Sequence, residues 1–177
     1  MVKKIIIFFA YTLFFLSALM YFTPKSSVYF FLEEKLEQVD VVISSEDIQD
    51  SGFALNIKNA NVSFKSISSV DINEANIKIF AIYNSVNFKN ITLSSTAKSL
   101  APLKIESIEV VYSIFNPLNV TIHAIGEFGE SESKFNIADK SLHLELKPSK
   151  VMSQNYKNTL KNLSKTENGE FVYDKTF

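Results

Sequence analysis

From Val39 to Leu146 the apolar residues recur at every second position, in a series of short runs. The run "SLHLEL" shows the pattern most cleanly, with Leu142, Leu144 and Leu146 alternating with Ser141, His143 and Glu145. A period of two belongs to a strand with one buried and one wet face. "IESIEVVYS" sets Ile108, Val110 and Tyr112 against Glu109. "LNVTIHAI" sets Leu118, Val120, Ile122 and Ala124 against Asn119, Thr121 and His123. Further strands are expected in "VDVVIS", "ANIKIFAI" and "SKFNI". No strand–helix alternation interrupts the series, so a parallel sheet is not indicated. The expected fold is all-β with peripheral helices: a curved antiparallel sheet after an N-terminal transmembrane helix and before a C-terminal amphipathic helix.

The phase of the alternation slips twice. Phe53, Leu55 and Ile57 share one parity, and Val62 and Phe64 the other. Val86 and Phe88 likewise give way to Ile91 and Leu93 across "KN". Each slip predicts a bulge or tight turn. The segments "LNIKN" (Leu55 to Asn59) and "VNFKN" (Val86 to Asn90) look alike, suggesting a repeated strand–bulge–strand unit.

The N-terminus obeys a different rule. Lys3 and Lys4 precede Ile5 to Phe22, a stretch without charge. Eighteen helical residues rise about 27 Å, close to the roughly 30 Å hydrocarbon core of a bilayer. The stretch exceeds the ordinary length of a cleaved signal's apolar region, and the cleavage position after Ala18 has Leu16 where a small residue is wanted. An uncleaved anchor is therefore expected over 1–25, with a short cytoplasmic N-terminus. The remainder then lies outside the cytoplasmic membrane, in the periplasm of a bacterium. A linker helix is expected over 26–38, capped by Ser26 or Ser27 and presenting Tyr29, Leu32 and Leu36 on one side. The sheet domain is assigned to 39–148. The segment 149–177 is read as an amphipathic helix and tail, with Ser149 as cap and Met152, Tyr156, Leu160 and Leu163 on its apolar side. "ENGEFVY" adds a turn and a last strand from Phe171 to Tyr173.

Composition removes most chemistry. The chain has no cysteine, and every basic residue is a lysine, so thiolate ligands, cysteine nucleophiles and bidentate arginine clamps are excluded. A net charge of −1 offers no field for nucleic acid. The two histidines, His123 and His143, fall on polar strand faces, and no acidic motif stands at metal-ligand spacing. "GEFGES" lacks the lysine and following helix of a phosphate loop. Gly126 and Gly129 instead bracket a hairpin turn kept wet by Glu127, Glu130 and Glu132. No catalytic residue, cofactor or metal is assigned, and no enzymatic activity is expected. The candidate surface is the apolar sheet face carried by Phe53, Leu55, Ile57, Ile108, Val110, Ile122, Leu142 and Leu144, facing lipid or a protein partner.

"FFLEEKLEQVDVVISSEDIQDSGFALNIKNANVSF" and "PLKIESIEVVYSIFNPLNVTIHAIGEFG" together resemble the type II secretion system protein N (GspN) family. The leucine- and glutamate-rich helix from Leu32 to Val39, the strand pair from Leu55 to Val62 and the late turn from Gly126 to Gly129 carry the resemblance. It implies a non-enzymatic, inner-membrane accessory of a machine exporting proteins across the outer membrane, with envelope proteins as partners. The sheet also resembles those of LptC-like and AsmA-like envelope proteins. The alternative is therefore periplasmic transport of lipid or lipopolysaccharide along the apolar face.

Overall fold

A computed structural model describes residues 2–65, 67–80 and 82–177. Met1 of the anchor segment and Ala81 of "ANIKIFAI" lie outside the described residues. Helix α1 (Val2–Phe22) is long and apolar enough to cross a membrane, and none of its residues is buried. Helix α2 (Lys25–Glu37) follows almost at once.

The strands are β1 (Val41–Ser44), β2 (Asp47–Asp50), β3 (Leu55–Phe64), β4 (Ile67–Ile79), β5 (Tyr83–Leu93), β6 (Lys104–Ser113), β7 (Asn119–Gly126), β8 (Gly129–Asn136) and β9 (Ser141–Pro148). A 3₁₀ turn (Ser95–Ser99) joins β5 to β6. Short helices α3 (Lys150–Asn155) and α4 (Lys157–Leu160) lead to β10 (Ser164–Lys165) and β11 (Phe171–Thr176). All strands join one open antiparallel sheet in the order β1-β3-β4-β5-β6-β7-β8-β9-β11-β10, with β2 on β3. From β3 to β9 it is a meander, because each short turn leaves the next strand its predecessor as nearest partner. The sheet continues past residue 148: β11 returns antiparallel to β9, so the tail forms part of the sheet.

Both phase slips take one form. Leu55–Ile57 of "FALNI" and all of "NVSF" belong to the one strand β3, and "SVNF" and "ITL" both belong to β5. Asn59 (φ 57°) and Asn90 (φ 52°) adopt the left-handed conformation, which asparagine tolerates better than most side chains. Register with β4 is the same on either side of each, so no residue is inserted there: Lys58 and Ala60 face Glu74 and Ile72, and Lys89 and Ile91 face the same pair. The left-handed residue resets side-chain parity, so Ile57 and Ala60 are both buried. The two "KN" segments flank β4, with Leu55 and Val86 both opposite Ile77. A register shift between Ile105 and Ser107 carries the irregularity into β6.

Residues directly opposite in an antiparallel sheet share a face. One row runs Leu55–Ile77–Val86–Val110–Ile122–Ser133–Leu144–Tyr173. Its neighbour runs Ile57–Ala75–Phe88–Ile108–Ala124–Ser131–Leu146–Phe171. These rows define the apolar face, and both helical covers sit on it. At one end Tyr29 of α2 packs on Leu55, Ile57, Ala60 and Ala75. At the other, Met152 and Leu160 pack with Leu146, flanked by Phe128, Leu144, Tyr156, Leu163 and Phe171.

The helices differ from expectation in two ways. α2 begins at Lys25 after Pro24, with no side-chain cap, and Leu32 and Leu36 remain exposed beside buried Tyr29. The buried residues of α2 are Lys25 and Tyr29, both in its first half, and the rest of its apolar side is left largely uncovered. The C-terminal helix is two short helices broken at Tyr156 (φ −121°, ψ 34°). The break lets Met152 and Leu160 both reach the sheet. Ser149 is the cap: its hydroxyl oxygen accepts the Met152 N–H at 3.1 Å, and its O–H donates to the Glu127 carbonyl at 2.6 Å.

Candidate interaction surfaces

The eight candidate residues do not form one uniform strip. Leu55, Val110, Ile122 and Leu144 share a row, and Ile57 and Ile108 the adjacent one. Leu142 lies one row further, opposite Phe135. Phe53 stands outside the strands, 48 % exposed, with its ring edge-on to Tyr21 at 5.4 Å. Leu55 and Ile57 are buried under Tyr29, and Leu144 packs beside the C-terminal helices. Ile108, Val110 and Ile122 are half-buried and belong to neither cluster. The apolar face is therefore roofed at both ends and thinly covered along β6 and β7.

Lys25 joins α1 to this sheet. It is fully buried, and its ammonium donates to the carbonyls of Met20 (2.8 Å), Thr23 (3.2 Å) and Gly52. A lysine has three N–H donors, so each finds an acceptor. Two of these carbonyls belong to the C-terminal end of α1, where the helix dipole favours a cation. Tyr21 closes the same joint: a Cβ on Gly52 would lie 2.5 Å from its ring. Gly52 therefore has no room for a side chain, and its φ of +79° adds a conformational reason.

The turn between β7 and β8 is a hairpin closed by Gly126 opposite Gly129. A Cβ on Gly126 would meet Ile105 Cα at 2.9 Å, and one on Gly129 would meet the Lys147 carbonyl at 2.1 Å. Both glycines thus permit close backbone packing rather than cradle a phosphate.

The opposite face is polar. Its central row runs Asn56–Asn76–Asn87–Glu109–His123–Glu132–Glu145. Asn76 donates to Asn56 at 2.6 Å. A hollow of about 570 Å³ overlies the β3–β5 part, lined by Lys58, Lys78, Lys89 and Glu74 among others. A second, of about 390 Å³, overlies β6–β9 and contains both histidines with Glu109, Glu130, Glu132 and Glu145. His123 Nε2 lies 2.9 Å from Glu130. His143 is held on both ring nitrogens, by Asp174 at 2.6 Å and Glu145 at 3.1 Å. Hydrogen bonds to Asp174 and then Glu145 raise the His143 pKa above its ordinary 6.5. The His123 hydrogen bond is the main cause lowering the Glu130 carboxyl below its ordinary range.

Sequence reading passed over this polar group because its members come from separate strands. The available signal was the hairpin: once Gly126 pairs with Gly129, Glu132 must fall opposite His123.

These features define a class: an all-β protein with one open antiparallel sheet behind an apolar N-terminal helix. Comparison with protein-family models, with curated proteins and with solved structures finds no match for the chain.

Proposed function

We propose that this chain is a non-enzymatic platform anchored in the bacterial inner membrane. In this reading the N-terminus is cytoplasmic and the sheet periplasmic. The platform serves as an accessory or assembly component of a type II secretion machine. The carrying observation is the apolar face, roofed at its ends and half-buried along β6 and β7. A strip of this kind suits a protein partner that completes the cover. The charges of Lys3 and Lys4, in the first turn of α1 and ahead of its uncharged run, support the orientation. The resemblance in the segments around Leu55 and Gly126 supports the choice of machine.

The alternative, lipid or lipopolysaccharide transport, needs a continuous trough through all eight candidate residues. Burial of Leu55 and Ile57 beneath Tyr29 weighs against it. A photo-crosslinking amino acid at Ile122, in the intact chain in its native membrane, tests the choice. Discrete protein adducts, lost when the reporter moves to exposed Asp71, support the platform. Phospholipid co-purifying at near one-to-one, with lipid adducts at Ile122, would replace it with the carrier. A mature N-terminus near Leu19 would remove the anchor from either reading.

A further inference from the structure

The polar face brings together side chains that the platform reading does not use. We propose that His123, Glu130 and Glu132 form a binding site for a divalent transition-metal ion of the zinc type. Each offers one ligand atom, and these atoms all lie within 4.8 Å of one another. His123 Nε2 and Glu130 Oε1 are already 2.9 Å apart, near the roughly 3.3 Å expected between two ligands each about 2.0 Å from a tetrahedral ion.

Three further observations support the assignment. Glu132 lies directly opposite both His123 and Glu145, and Glu109 lies opposite His123. Like charges directly opposed across strands are unfavourable, so the Glu132–Glu145 pair gains from a cation. Both histidines of the chain line this one hollow, although they lie on β7 and β9. The hollow leaves space above the three ligands for a water or a fourth carboxylate to complete the shell.

The ligand set also narrows the metal. One imidazole with two carboxylates suits zinc and its first-row neighbours, whereas an all-oxygen shell suits magnesium or calcium. The chain contains no cysteine, so no thiolate competes for the ion. His143 is a neighbour rather than a ligand, because both its nitrogens are engaged by Asp174 and Glu145. A bound ion would tie β7 to β8 beyond their turn.

Equilibrium dialysis of zinc against the full chain in detergent, without a polyhistidine tag, tests the site. One tightly held zinc per chain is expected, and no retention above a metal-free control would overturn the proposal. Loss of outer partners of a metal ligand commonly weakens binding about 10–100-fold, so H123A and E132Q should each weaken it by at least that factor. H143A should retain one zinc with a change of only a few-fold. Zinc retained equally by H123A and E132Q would overturn the assignment, as would a loss confined to H143A. Far-UV circular dichroism confirms that each variant keeps its sheet. Cobalt supplies a second readout: visible absorption of a four- or five-coordinate ion should appear with the wild type and vanish with H123A. An octahedral spectrum unchanged by H123A would exclude the site.

Discussion

The two ends of the sheet bury the same apolar face by different routes. At the β3 end the cover arrives from outside the sheet, as Tyr29 on the helix that continues from α1. At the β9 end it arrives from the chain's own continuation, as two short helices that then feed β11 back into the sheet. The first cover depends on how α1 is held. The second depends on a turn, a cap and a break, all close in sequence. An open sheet needs both, because it cannot bury its face against itself. Neither cluster includes Ile108, Val110 or Ile122, and there the face is half-buried.

Substitutions at matched depth test this contrast most strongly. Leu55→Ala should cost about 3–5 kcal/mol, the upper part of the range for a fully buried leucine. Met152→Ala should cost about 2–3 kcal/mol, because the short helices α3 and α4 can settle into the gap. Urea denaturation of the intact chain in detergent, followed by circular dichroism, measures both. Equal costs would erase the distinction between the ends. Two separate transitions would sharpen it, showing that the ends unfold independently.

Lys25→Met comes next. It leaves the carbonyls of Met20, Thr23 and Gly52 without their shared donor, at about 1–3 kcal/mol. The same denaturation experiment reads the loss, and spin labels on α1 and β4 should show a broadened distance distribution. An unchanged distribution would mean that packing of Tyr21 on Gly52 suffices. Ser149→Ala should cost about 1 kcal/mol by removing the α3 cap. Its effect should be confined to hydrogen exchange at the β9 end, and exchange that also quickens in β3 would contradict separate covers.

The smallest effect is pH-dependent. The His143 pKa is raised in the folded chain, so its protonated form favours folding. That contribution is complete below the ordinary 6.5 and fades as pH rises through the raised value. Asp174→Asn should flatten the stability profile above pH 6.5 while leaving α2 and β3 unaffected. Since His143 and Asp174 are both well exposed, salt should weaken the effect. A profile that this substitution leaves unchanged would remove the ion pair from the account.

Much of the fold was legible because alternation is local. The runs around Ile108, Ile122 and Leu144 read correctly as strands, since their apolar side chains all face one way. Ser149 was legible as a cap for the same reason. The slips at Asn59 and Asn90 were visible as parity changes, but parity alone cannot separate an inserted residue from a left-handed one. Leu32 and Leu36 misled because helical periodicity marks a face without saying whether anything covers it. The return of β11 to β9 and the break at Tyr156 are tertiary choices with no local mark. The His123 group was hidden for a related reason: its spacing becomes regular only across a hairpin.

The Lys25 joint has a mechanical consequence. A flexible tether would let the sheet tumble independently of α1, with every edge equally available. Here the end of α1 and the loop at Gly52 share one ammonium, so the sheet takes its heading from the helix. Rolling α1 about its long axis would swing the strand edges like a rudder. Whatever grips α1 thereby aims the half-covered strip without touching the sheet.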